Sequence, residues 1–380
     1  MSWNEGNLRL DAAEGGRVYV GDYDILDLAR RIDDLNATLD FPQASQDGWL
    51  QRSWRINLGD RTYSNLVVDA DGVLYLALLD GSVLALSAIG HVRWRLRLES
   101  PSYGAVVMMD NKNLLLGTDS GRVYALDHAG HVNWMFDTGG VPVRSGIVIN
   151  TAQDTVFFNS EIGTVYALHV NGTERWRSNI TGPVYHSGVV APDGRYIVVD
   201  RSGTVHAFEG ANGTRAWTYD TNLSTIYTPP MTISTRGSDA YRVVVSAAAE
   251  LLELRPNGTL HMAHTYGNAN FHSLNTNPEG QIFVVTDNGE VLSIHPAGNV
   301  HWNFSAESRS AYANYAATLW DSGTFYFGGG DGLLYAINAT TGQLRYIFPT
   351  GDQLFSHPAA SPMGDVVYVA SWDGYLYAIY

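Results

Sequence analysis

A ten-residue frame that returns about every forty residues constrains this chain more than any other feature. The segment from Ala85 through Gly90 to Trp94 lies over Ala125 through Gly130 to Trp134, and the same small residue, glycine and aromatic recur at Ala167–Trp176, Ala207–Trp217, Ser293–Trp302 and Ala336–Tyr346. One copy is degenerate, with Glu253 at the small-residue position and Met262 at the aromatic one. The steps between successive aromatic positions are 40, 42, 41, 45, 40 and 44 residues. That period belongs to repeats in which each unit is one supersecondary structure that buries its apolar face only by stacking on neighbours.

Within a unit the text alternates as short strands, 65–68, 73–77, 82–86 and 92–98, separated by Asp71-Gly72, Asp80-Gly81 and Gly90. Four strands joined by tight turns make an antiparallel blade. The last unit stops at Tyr380 after three strands, while Trp54 stands 40 residues before Trp94. Residues 51–57 are therefore expected to pair with the C-terminal blade as its outer strand, closing the ring and removing a free sheet edge. The expected fold is all-β, an eight-bladed β-propeller of four-stranded antiparallel blades over residues 49–380.

The spacing of small residue, glycine and tryptophan resembles the tryptophan-docking repeat of the pyrroloquinoline-quinone-type eight-bladed propellers. The resemblance implies that Trp54, Trp94, Trp134, Trp176, Trp217 and Trp302, with Tyr346 as a near substitute, pack between blades, and that the blade of Met262 is docked less regularly. The family holds quinone-dependent dehydrogenases and non-catalytic scaffolds such as the propeller lipoprotein of outer-membrane barrel assembly, so the fold does not choose a function. Its dehydrogenases carry long insertions, a vicinal disulfide and Glu, Asn and Asp ligands for calcium. This chain has no cysteine and compact units. No cofactor is expected, and the non-catalytic branch is favoured.

Composition narrows the partners. Asp and Glu number 38 against 23 Lys and Arg, a net charge of −15 that repels a phosphate backbone, so nucleic acid is not an expected partner. No apolar run is long enough to span a bilayer. The start at Met1 has neither the basic nor the apolar region of a secretory signal, which leaves a cytosolic start or a removed leader. Sequence motifs for a serine nucleophile elbow, a zinc-protease helix, a phosphate-binding loop and a complete EF-hand are lacking. Gly328–Gly332, Asp69–Gly72 and Asn277–Gly280 read as strand-to-strand turns rather than phosphate or calcium sites.

Two patterns carry functional expectations. Just before the innermost strands stand Tyr63, Tyr103, Arg144, Tyr185 with His186, Tyr227, His272 next to Phe271, and His357 near Phe355. On a propeller these positions ring one channel mouth, where they either seal the channel or converge on a small anionic or sugar-like ligand. No metal site is assigned to the histidines, which come from separate blades without visible carboxylate support. The second pattern is eight Asn-x-Ser/Thr sequons, at Asn36, Asn171, Asn179, Asn212, Asn222, Asn257, Asn303 and Asn338. About three would arise by chance, and those at Asn171, Asn212 and Asn257 also satisfy hairpin-turn chemistry. The remainder tilt the reading toward an extracellular or cell-surface glycoprotein.

Residues 1–48 leave the repeat. Arg17–Gly21 reads as a strand, Ile25, Leu28, Ile32, Leu35 and Leu39 form an a/d seam, and 41–48 read as a linker. The seam is either a coiled-coil stem, giving a homo-oligomer through residues 25–39, or an amphipathic helix folded on the propeller. The leading functional expectation is a non-enzymatic propeller that binds other proteins or glycans in an extracellular or cell-surface assembly. The alternatives are a quinone- or metal-dependent oxidoreductase using the channel mouth, and a lectin-like carbohydrate binder.

Overall fold

The structure is a computed structural model. It describes residues 52–380 apart from 224, 225, 227, 236–239, 268, 278, 307–316 and 321–322, together with four short strands before residue 25. The chain divides into two units, Met1–Asp47 and Gly48–Tyr380. In the first, Ser2–Asn4 pairs antiparallel with Asn7–Arg9, and Tyr19–Val20, within the strand expected at 17–21, pairs with Tyr23–Asp24, beyond it. The seam from Ile25 to Leu39, its linker and Asn36 lie outside the described residues.

The second unit is an eight-bladed propeller of four-stranded antiparallel sheets. Blade 1 runs Val67–Val68, Leu74–Ala77, Ser82–Leu86 and Val92–Arg97 from the channel outward. Blades 2 to 7 follow within 107–137, 148–179, 189–220, 231–265, 271–305 and 317–349. Blade 8 takes Ala359–Ala360, Val367–Ala370 and Tyr375–Ile379 from the C-terminus and Arg52–Asn57 from the beginning of the unit. In the closing pair Tyr375 stands opposite Asn57 and Ala378 opposite Trp54.

Strand composition follows position in the stack. The two middle strands of a blade touch neighbours on both faces, so Leu74–Ala77 and Ser82–Leu86 are buried throughout, whereas the outer strand Val92–Arg97 alternates exposed and half-buried. Cores form between blades. Tyr75, Ala77, Val83 and Ala85 of blade 1, for example, pack on Val106, Leu114, Leu116 and Leu126 of blade 2.

Six tryptophans tie consecutive blades together. Trp94 stands opposite Ala85 in its own blade, and its indole N–H donates to His128 O at 2.9 Å in the third-to-fourth strand turn of the next blade. Gly130 in that turn has φ +88°, and a Cβ there would come within 2.8 Å of the indole. Glycine is thus required both by the left-handed turn and by the ring beneath it. The indoles of Trp54, Trp134, Trp176, Trp217 and Trp302 donate likewise to Ala88, Val170, Gly210, Pro256 and Ala339, at 2.8 to 3.1 Å.

Two seams differ. Met262 stands opposite Glu253 in the same register as Trp94 opposite Ala85, but the side chain beneath Gly298 of blade 6 is His264, and Tyr266 Oη supplies the hydrogen bond, 2.7 Å to Gly298 O. Tyr346 of blade 7 is 41% exposed. Its neighbour is the closing blade, whose third and fourth strands come from the two ends of the unit and have no connecting turn.

Candidate functional site at one mouth of the channel

Antiparallel order puts the connection entering each blade and its second-to-third strand turn at the same end of the ring. The residue four places before the inner strand is Tyr63 in blade 1, Tyr103 in blade 2, Arg144 in blade 3, Tyr185 in blade 4 and Phe355 in blade 8. Their loops are pinned by repeated hydroxyl bonds to the same blade's second strand. Ser102 donates to Gly117 O at 2.8 Å, Ser145 to Asn159 O at 2.9 Å and Ser356 to Ala370 O at 2.9 Å. These hydroxyl protons serve the scaffold rather than a histidine.

On the arc of blades 8, 1 and 2 the rings lean on one another. Tyr63 lies with its centroid 5.8 Å from Tyr103, 5.4 Å from Phe355 and 5.1 Å from Trp372, and Phe355 is 4.6 Å from Trp372. Burial, with Tyr103 beside it, raises the Tyr63 pKa. Guanidinium groups cover the next ring faces: Arg61 over Trp372 at 4.9 Å, Arg144 over Tyr103 at 5.3 Å and Arg201 over Tyr185 at 5.4 Å. Together they form an aromatic–arginine band, continuous across blades 8, 1, 2 and 3, with the Tyr185–Arg201 pair on the adjacent blade 4.

The Arg144 charge is already matched. Its Nε donates to Asp119 at 2.5 Å and its terminal nitrogen lies 3.2 Å from Glu161, both carboxylates coming from second-to-third strand turns. His186 and His272 occupy the same repeat position in blades 4 and 6. Burial lowers the His186 pKa below the usual histidine range, opposed by a hydrogen bond with the Ile226 backbone and reinforced by nearby His272. At neutral pH neither Arg144 nor His186 therefore offers an incoming anion much uncompensated positive charge. His357 lies farther round, its backbone N–H bonded to Asn65 Oδ1 at 3.3 Å across the blade 8–blade 1 seam. Tyr227 is outside the described residues.

Sequence reasoning missed Arg61, Arg201 and Trp372. Trp372 had a signal, because it sits in the second-to-third strand turn where blades 1 to 4 carry Asp80, Asp119, Glu161 and Arg201. The other turn segments close on themselves. Asp69 Oδ1 accepts the Asp71 and Val73 N–H groups at 2.9 and 2.8 Å, and Asp331 Oδ1 accepts that of Leu333 at 3.0 Å. Among the described residues no three His, Cys, Asp or Glu side chains are placed to share a metal ion. With the mouth rings packed together and no cysteine pair in the chain, these residues do not fit a quinone–calcium centre.

The family model described as outer membrane protein assembly factor BamB matches residues 50–183, 119–273 and 243–379 in three overlapping passes, and so nearly the whole propeller. The chain belongs to that family. Solved BamB-type and quinoprotein propellers share its fold. BamB from Moraxella catarrhalis is 18% identical, with a TM-score of 0.67 over 87% of this chain and 97% of that one. The quinohemoprotein alcohol dehydrogenase from Comamonas testosteroni is 15% identical, with a TM-score of 0.71 over 89% and 78%. Sqt1 of Saccharomyces cerevisiae is 12% identical, with a TM-score of 0.72 over 87% and 98%. No curated protein sequence matches the chain. Membership in the BamB family thus coexists with folds shared by an enzyme.

Proposed function

We propose that this chain is a non-enzymatic binding scaffold of the cell envelope whose protein partner docks over the aromatic–arginine band. One observation carries the reading: Arg144 is committed to Asp119 and Glu161, while Tyr103 and Tyr185 keep 37% and 38% of their surface exposed. Tyrosine, tryptophan and arginine are the side chains that supply most of the affinity at protein interfaces. Guanidinium groups already cover the faces of Tyr103, Tyr185 and Trp372, which favours a protein surface over stacked sugars. The family description, an outer membrane protein assembly factor, supports an envelope location.

The test is affinity capture from the native source with the parent chain and with Tyr103→Ala plus Tyr185→Ala. A partner held by the parent and weakened about tenfold or more by the double variant, at unchanged melting temperature, supports the proposal. Equal capture by both contradicts it. A stoichiometric absorbance change on adding pyrroloquinoline quinone with calcium would favour the oxidoreductase instead.

A further inference from the structure

Seven of the eight sequons fall in the described propeller, all on its outer parts. Asn171, Asn212 and Asn257 lie in third-to-fourth strand turns of blades 3, 4 and 5, and Asn338 ends the third strand of blade 7 at the start of its turn. Asn179 ends the outer strand of blade 3, Asn222 follows that of blade 4, and Asn303 lies within that of blade 6. Six of the seven are exposed and Asn338 is half-buried. Blades 8, 1 and 2 carry none.

The amide geometry leaves these side chains open to modification. In the four turns Oδ1 accepts the backbone N–H two residues on, from Thr173, Thr214, Thr259 and Thr340 at 2.9 to 3.1 Å. This directs Nδ2 away from the turn. Among the described residues no Nδ2 of the seven donates a hydrogen bond. Some non-sequon asparagines spend theirs on structure: Asn150 donates to Asp154 at 2.7 Å, Asn159 to His186 O at 3.3 Å, Asn270 to Asp287 at 2.8 Å, Asn275 to Ser273 at 3.2 Å and Asn277 to Gln281 at 3.1 Å, while Asn57, Asn111 and Asn288 use Oδ1 alone. Turn chemistry explains an Asn-Gly-Thr in a hairpin, but not the exposed sequons on the outer strands at Asn179 and Asn303 or after one at Asn222.

We infer that the outer wall of blades 3 to 7 is N-glycosylated. The co-substrate class is a lipid-diphosphate-linked oligosaccharide presented by a membrane transferase. Nδ2 attacks C1 of the first sugar; the C–N bond forms, the bond from C1 to the diphosphate oxygen breaks, an amide proton passes to the transferase base, and the lipid diphosphate leaves. Glycans there shield five consecutive blades and leave bare the arc of blades 8, 1 and 2 that carries Tyr63, Tyr103, Phe355 and Trp372. The inference is independent of the scaffold role.

The experiment uses the full chain purified from its native source. Intact mass is measured first, then peptides are treated with a peptide N-glycosidase in heavy-oxygen water, which converts each occupied asparagine to labelled aspartate. The expected result is an intact mass above that of the bare chain, with label at most of the seven sequons and none at Asn150, Asn159, Asn270, Asn275 or Asn277. An intact mass equal to the bare chain, or all seven sequon peptides present unmodified, overturns it.

Discussion

His264 lies beneath Gly298 at the fifth seam, whereas six of the other seven seams place a tryptophan beneath the turn of the following blade and the remaining one, at blade 7, leaves Tyr346 exposed. Tyr266 replaces the indole donor with its hydroxyl. The ring should therefore be held unequally. Trp176→Ala is expected to cost about 3 to 5 kcal/mol, as for a large buried aromatic, and Tyr346→Ala less than about 1 kcal/mol. Denaturant titration checks the ranking, and equal losses would contradict the docking geometry.

The same seam holds a strained charge. Glu253 is 6% exposed at a position where the other blades place Ala or Ser. Burial raises its pKa, opposed by the nearby Arg242 charge, and burial together with Glu253 pushes the Tyr266 pKa up to about 12. A carboxyl with a raised folded pKa favours the fold below its unfolded pKa and loses that advantage as pH rises through the folded value. Glu253→Ala should then stabilise the ring at pH 7 by about 1 to 3 kcal/mol and by less near pH 4. Destabilisation at pH 7 would show that the charge supports the seam.

Acid should act through blade 4. His206 Nε2 lies 3.0 Å from Asp200 Oδ2, with the side chains 5% and 0% exposed. Burial holds His206 below the usual histidine range although Asp200 opposes it, while Asp200 stays below the usual carboxylate range because hydrogen bonds from Ser202, His206 and Thr204 outweigh its burial. As pH falls below about 6.5 the unfolded chain takes up the histidine proton before the folded one, so stability declines; Asp200 adds a further loss below about pH 4. His206→Gln should flatten the melting-temperature slope between about pH 7 and 5. Superimposable slopes would contradict this.

Closure is tested by truncation. Trp54, Ile56 and Leu58 belong to the core that joins blades 8 and 1. A chain beginning at Gly48 should keep the parent's melting temperature, whereas one beginning at Gly59 should lose at least about 3 to 5 kcal/mol, the cost of one large buried aromatic. Equal melting of the two would mean that the Arg52–Asn57 strand is dispensable.

The ring was legible because its signal repeats: turn glycines and tryptophans about forty residues apart survive the loss of one copy at Met262. The displacement of docking onto His264 and Tyr266 was not, since one altered seam has no second copy to reveal it. At the mouth, the shared position of Tyr63, Tyr103 and Tyr185 could be read from spacing. That Arg144 would be matched by Asp119 and Glu161 could not, because these carboxylates lie 25 and 17 residues away in the chain, in turns of two blades. Trp372 joined the band through the ring closure, which brings Phe355 and Tyr63 together from opposite ends of the propeller sequence.

The scaffold claim is met most directly by cross-linking the native partner complex and mapping the linked residues by mass spectrometry. Links are expected on loops and turns of blades 8, 1, 2, 3 and 4 at the mouth bearing Tyr63, Tyr103 and Tyr185, with the Tyr103→Ala, Tyr185→Ala chain losing them. Links confined to the outer wall of blades 5 to 7, or unchanged in the double variant, would contradict it.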